Sequence, residues 1–383
     1  MAMIYLDYAA TTPVDPAVLD AMTPYFCKVF ANPSSKHVCG KEAHQAMCAS
    51  RTAIARCLGA EDEEIIFTAG ASEANNLAIK GIAELYDEPK HFITSAFEHK
   101  ATLKAMECLE EWGHRVTYIT PDSEGWIDPT DVEEAIEDDT VLCSIMHVNN
   151  EIGIIQPIDS IAEICKYHDV LFHTDATQSY GKMPISVRKM NIDLLSLSAH
   201  KLYGPKGVGA LFCANGLDIR CQISGGSQEG GKRAGTSNVP GVVGMSKASE
   251  LACVQMSENL EHLRVLEDVF LDAIRTLIPM QYLQGRRSRK VPWISNICFY
   301  GVNGAELRDR LSEDGICVSR SSACTKSDDP SHVLKSIGTR QDLTPGAIRF
   351  SFGKDTSVDQ VLHAAKRVAH HVSNLRKENR HAR

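Results

Sequence analysis

The sequence predicts an α/β protein with a mostly parallel, seven-stranded sheet in a large domain and a smaller α+β domain beside it. Three observations predict this. From about residue 60 to 215, short β-rich runs alternate with helical stretches, the pattern of a parallel sheet covered by helices. The chain has 383 residues, more than one hydrophobic core usually organises, so its length points to two domains. From about 246 to 278 a long helical pattern intervenes, and beyond it strands and helices mix.

Taken in order, the predicted strands of the sheet are 65–68, 91–94, 116–119, 141–146, 170–173, 194–198 and 208–212, each rich in β-branched or aromatic residues. A helix is expected over 74–85. Leu251, Leu260, Leu263, Leu266, Phe270, Ile274 and Leu277 trace the long helix, and the passage between domains is placed within it. The large domain is expected over 15–255, and the small one over 1–14 and 256–383. Strands 294–299 and 348–352 belong to the latter, as does a last helix whose Val358, Val361, Leu362, Ala365, Val368, Ala369, Val372 and Leu375 form one apolar face.

Hydrophobic residues make up 43% and charged residues 23% of the chain, the balance of an ordinary folded protein. The formal net charge of −9 argues against direct nucleic-acid binding, whose footprint is basic. The basic stretch 286–290 reads as a solvated loop. No run of 18 apolar residues occurs, and no basic segment followed by an apolar one opens the chain, so no membrane association and a cytoplasmic location are expected. The 13 cysteines include no CxxC pair, and Cys143, Cys165, Cys213 and Cys298 sit in apolar runs where a reduced thiol packs as a small hydrophobe.

In an open parallel sheet, ligands bind beyond the carboxyl ends of the strands. After Phe67 come small residues that include Ala71 and Ser72, opening into a helix; that turn could hold a phosphate, or Ser72 could simply cap the helix. Asp175 closes the run that begins at Val170, where a buried carboxylate needs a cationic partner or serves the turn. Lys201 follows the strand 194–198; desolvation there makes a lysine a nucleophile toward an aldehyde, whereas a solvated loop leaves it charged. His99 and Asn150 follow two further strands. A phosphate turn, an acid, a lysine, an imidazole and an amide therefore meet at one sheet edge.

These residues carry a resemblance. Tyr5-Leu6-Asp7-Tyr8-Ala9-Ala10-Thr11-Thr12-Pro13, Asn32-Pro33-Ser34-Ser35, the stretch from Ser144 to Gly153, His173-Thr174-Asp175-Ala176-Thr177-Gln178-Ser179, Ser198-Ala199-His200-Lys201, Ser322-Ala323-Cys324-Thr325 and Ile348-Arg349-Phe350-Ser351 look like the cysteine desulfurases of the NifS/IscS type. That family lies within the class V aminotransferases and has the aspartate-aminotransferase-like fold of pyridoxal-phosphate enzymes, PLP fold type I. The resemblance covers nearly the whole chain.

The resemblance implies that pyridoxal 5'-phosphate is held on Lys201, which also moves the substrate Cα proton. Asp175 would keep the pyridine nitrogen protonated, His99 would stack on the ring and assist proton transfer, and Gln178 would bond its phenolic oxygen. Ala71, Ser72, Ser198 and His200 would cradle the phosphate, with Thr236 reaching the phosphate of a partner subunit in a homodimer. Asn150 would lie at the cofactor and substrate edge, and Arg349 would grip the substrate carboxylate. Cys324 would take the sulfur of L-cysteine as a persulfide, releasing L-alanine, and pass it to a sulfur-acceptor protein for iron–sulfur assembly, tRNA thiolation or DNA phosphorothioation. Gly230 stands where the family commonly has arginine. A selenocysteine lyase or aminotransferase of the same fold is the nearest alternative, and a catalytically inactive partner-binding protein a distant one.

Overall fold

Neighbouring residues of a strand point to opposite faces of the sheet. Apolar runs such as Ile65-Ile66-Phe67 and Leu194-Leu195 therefore require cover on both sides. The computed structural model supplies that cover, and it describes residues 3–320 and 331–381. Its strands are β1 (Ile4–Tyr5), β2 (Ile65–Thr68), β3 (His91–Ser95), β4 (Arg115–Ile119), β5 (Thr140–Ser144), β6 (Leu171–Asp175), β7 (Leu194–Ser198), β8 (Gly209–Cys213), β9 (Gln281–Leu283), β10 (Ile294–Phe299), β11 (Ile316–Cys317) and β12 (Ala347–Ser351).

The main sheet has the order β2-β8-β7-β6-β5-β3-β4. Its strands run parallel except β8, which is antiparallel to both β2 and β7. Ile66, Phe92, Leu142, Leu194 and Leu211 pack with Leu77 and Ile82 of the helix Ala71–Ala83 and with Met106 and Leu109 of the helix Lys100–Glu111. Phe67, Ile93, Cys143, Leu195 and Phe212 join the opposite core, with Ile54 and Leu58 of the helix Val38–Leu58. Each such side chain, withdrawn from water, contributes roughly 1.5–3 kcal/mol.

A second core gathers Leu6, Phe270, Ile274, Trp293, Ile297, Phe299, Phe350, Val368 and Val372 around the antiparallel sheet β12-β10-β9 and the parallel pair β1-β11. The 39-residue helix Val239–Leu277 serves both cores. Its Val242, Met245 and Ala248 lie in the first, and its Leu263, Leu266 and Phe270 in the second. Among the described residues no helix is long and apolar enough to cross a membrane.

Three local expectations are corrected. The helix expected over 74–85 is Ala71–Ala83 with Gly70 at its N-cap, so Ser72 lies in the first turn and is not the cap. The strand expected to reach 146 ends at Ser144, where the chain leaves the sheet for the site loop. The basic stretch 286–290 is exposed at Arg286, Arg287 and Ser288, as a solvated loop is, but not at Lys290, which is buried, pairs with Glu267 and donates to the Val291 carbonyl at 2.9 Å.

Candidate active site

Parallel β2 to β7 aim their carboxyl ends at one cleft, about 1410 Å³ including its open mouth. Ala71, Ser72, His99, Asn150, Asp175, Gln178, Ser198, His200 and Lys201 line it from the main sheet, and Arg349 enters from β12. Thr236 is exposed outside this lining. Cys324 lies outside the described residues.

Asp175 ends β6 and is 5% exposed. Its Oδ2 accepts from Asn75 Nδ2 at 2.7 Å and its Oδ1 from the Thr177 N–H at 2.9 Å, so the carboxylate is fixed in orientation. Asn75 sits within the helix Ala71–Ala83, in a polar Asn-Asn pair that gave no sign of this contact. His99 is the N-cap of the helix Lys100–Glu111, and its Nδ1 accepts from the Ala101 N–H at 3.2 Å. A neutral His99 must therefore carry its proton on Nε2.

Lys201 Nζ donates to the carbonyls of Ala9 at 2.6 Å and Ala10 at 2.7 Å. Two residues on, Tyr203 holds φ of 63°, a strained value for a bulky side chain. It is fastened by its N–H to Thr12 Oγ1 at 2.8 Å and by its hydroxyl, which accepts from the Lys354 N–H at 2.7 Å. Strain held in this way is common beside reacting groups. Burial, aided by the nearby Lys201, Lys206 and Lys182, pushes His200 down to about 4, so its imidazole is neutral at pH 7. Burial and the Lys201 charge likewise lower Lys182 to about 7.

The lining fits pyridoxal phosphate on three observations. Gln178 Nε2 donates to the Ala9 carbonyl at 2.9 Å, while among the described residues its buried Oε1, the Thr177 Oγ1 and the Arg349 Nε have no protein partner. The leading N–H groups of the helix Ala71–Ala83 have no intrahelical acceptor, which suits a phosphate. Gly209 lets the turn at Gly70 approach closely: a Cβ there would lie 2.7 Å from Gly70 Cα.

Comparison with known proteins gives the same picture. A family model described as aminotransferase class-V matches residues 4–363. A cysteine desulfurase IscS of Dictyoglomus turgidum is 47% identical over 94% of this chain and 91% of its own length. Among solved structures, a NifS-like protein superposes with a TM-score of 0.92 at 36% identity, covering 97% of this chain and all of the other. A structure titled SspA in complex with cysteine superposes with a TM-score of 0.83 at 40% identity, covering 92% of this chain and all of the other.

Proposed function

The chain belongs to the aminotransferase class-V family of pyridoxal-phosphate enzymes, and we propose that it acts as a cysteine desulfurase: L-cysteine and the thiol of Cys324 become L-alanine and a persulfide on Cys324. One observation carries this reading most directly. Every residue singled out from the sequence for the cofactor and substrate, apart from Thr236, lines a single cleft.

Bound there, the cofactor supplies an electron sink that makes the bonds at an amino acid's Cα labile. The chain's own residues do the rest. Lys201 would hold the cofactor and move the Cα proton. Asp175, fixed by Asn75 and the Thr177 N–H, would meet the pyridine nitrogen, where a carboxylate stabilises a proton. His99 would stack on the ring and present its Nε2–H. The N-terminus of the helix Ala71–Ala83, with Ser72, Ser198 and the neutral His200, receives the phosphate. Asn150 marks the substrate edge, and Arg349 offers the substrate carboxylate a planar fork of donors.

Thr236 is exposed, as a residue serving a partner subunit's phosphate would be, and a homodimer belongs to this reading. So do a separate sulfur-acceptor protein and a cytoplasmic location. The test is direct: the purified chain should be yellow, borohydride should fix a pyridoxyl group to the Lys201 peptide, and L-cysteine should yield stoichiometric alanine with a persulfide on Cys324. A colourless chain that releases no alanine after supply of the cofactor would refute the reading.

A further inference from the structure

Arg349 is 1% exposed, and a guanidinium so deeply buried needs its N–H groups met by acceptors or by charge. Nη1 donates to the Asn150 carbonyl at 2.8 Å and Nη2 to Asp7 Oδ1 at 2.7 Å. Among the described residues Nε has no protein acceptor. The fork is thus held at two nitrogens and free at the third.

Asp7 is itself clamped. Its Oδ2 accepts from Ser319 Oγ at 2.8 Å, and its backbone bridges β12 at Ser351. Ser319 exchanges backbone hydrogen bonds with Arg349 in both directions, at 3.3 and 2.6 Å. Asp7, Ser319 and Arg349 therefore close a ring across segments far apart in the chain.

We propose that Asp7 is a positioning residue that sets the plane of the Arg349 guanidinium for the substrate carboxylate. The inference rests on the reading of Arg349 given above. Two effects of Asp7 oppose each other. Its charge repels an incoming carboxylate, but its hydrogen bond fixes the plane on which bidentate recognition depends. Positioning prevails because Nε, which has no protein acceptor among the described residues, remains a donor beside the two nitrogens already held, and because the Ser319 bond keeps Asp7 from following the substrate.

The holoenzyme and its Asp7→Asn, Asp7→Glu and Ser319→Ala variants are compared by cofactor content, by steady-state kinetics and by absorbance titration. The titrants are L-alanine, which bears the carboxylate, and cysteamine, which lacks it. Asp7→Asn should raise the KM for L-cysteine and the Kd for L-alanine about tenfold, leave cysteamine binding within about twofold and kcat within about threefold, and retain full cofactor. Asp7→Glu should recover most of the loss. Ser319→Ala, which removes only the clamp on Asp7, should show the same pattern at about a third of the size, and it carries the test alone if Asp7→Asn does not fold.

A KM for the Asp7→Asn enzyme, or for Ser319→Ala in its place, at or below that of the wild type would overturn the proposal. So would an equal weakening of cysteamine binding. Failure of Arg349→Lys to lose carboxylate preference is a separate result, striking at the reading of Arg349 and taking the role of Asp7 with it.

Discussion

Burial pushes the Glu98 carboxyl up to about 8, against the hydrogen bonds from Ser95 Oγ at 2.6 Å and the Met146 N–H at 2.8 Å that favour its ionised form. A carboxyl that keeps its proton in the folded chain but loses it near the ordinary value when unfolded makes stability fall as pH rises between the two. The loss is about 1.4 kcal/mol for each pH unit crossed. Glu98→Gln keeps the acceptor oxygen and removes the titration. Its urea midpoint should therefore match the wild type near pH 4.5 and exceed it at pH 8; a difference that does not grow with pH would show that Glu98 ionises freely in the fold. Residues of this kind were silent in the sequence. Lys201, Asp175 and His99 were legible because each ends an apolar strand or follows one within four residues. Asn75 and Asp7 were not, because their partners lie 100 and 342 positions away.

At the scale of elements, the seven strands were readable from their composition, while their ends and order were not. β8 inserts antiparallel between β2 and β7, and nothing in its own residues announces that pairing. Its first residue shows why the pairing matters. A Cβ on Gly209 would meet the Leu197 carbonyl oxygen at 2.5 Å and Gly70 Cα at 2.7 Å, so β7 and the turn before the helix Ala71–Ala83 close on it from two sides. Gly209→Ala should cost about 1–3 kcal/mol by overpacking and, by displacing the turn at Gly70, weaken cofactor retention. Thermal melting read with and without added pyridoxal phosphate checks both, and a variant that melts and holds its cofactor like the wild type would remove the turn from the phosphate site. The Gly-rich segment is a second case. Glu229, Gly230 and Gly231 all have positive φ, of 50°, 64° and 82°, so glycine at 230 suits a backbone that an arginine would enter only with strain.

Across the whole molecule, the site draws on both cores: the main sheet supplies Lys201, Asp175 and His99, and β12 supplies Arg349. The residues that flank 321–330 are fastened to the same cleft. Ser319 is bonded to Arg349 on one side; on the other, Ser331 Oγ donates to Glu151 Oε2 at 2.5 Å and His332 Nε2 to the Glu98 carbonyl at 2.9 Å, one residue from His99. The resemblance in sequence identified Cys324, and these anchors place both neighbouring ends of the chain beside the proposed substrate site. Four residues separate Ser319 from Cys324, so the two are at most about 18 Å of extended chain apart. Among the described residues, Asp175 is fixed by Asn75 and the Thr177 N–H, Gln178 by the Ala9 carbonyl, Lys201 by the Ala9 and Ala10 carbonyls, and Arg349 by Asn150 and Asp7. Cys324→Ala should therefore fold with unchanged melting, retain the yellow cofactor and still change its absorbance when L-cysteine is added, while alanine and persulfide formation fall by at least about a thousandfold for want of the accepting thiolate. Cys39→Ala, at an exposed thiol in the helix Val38–Leu58, should remain active. If Cys324→Ala turns over near the wild-type rate, or if alkylation after L-cysteine treatment traps the persulfide on another cysteine, then the sulfur acceptor is elsewhere in the chain and Cys324 is not part of the reaction.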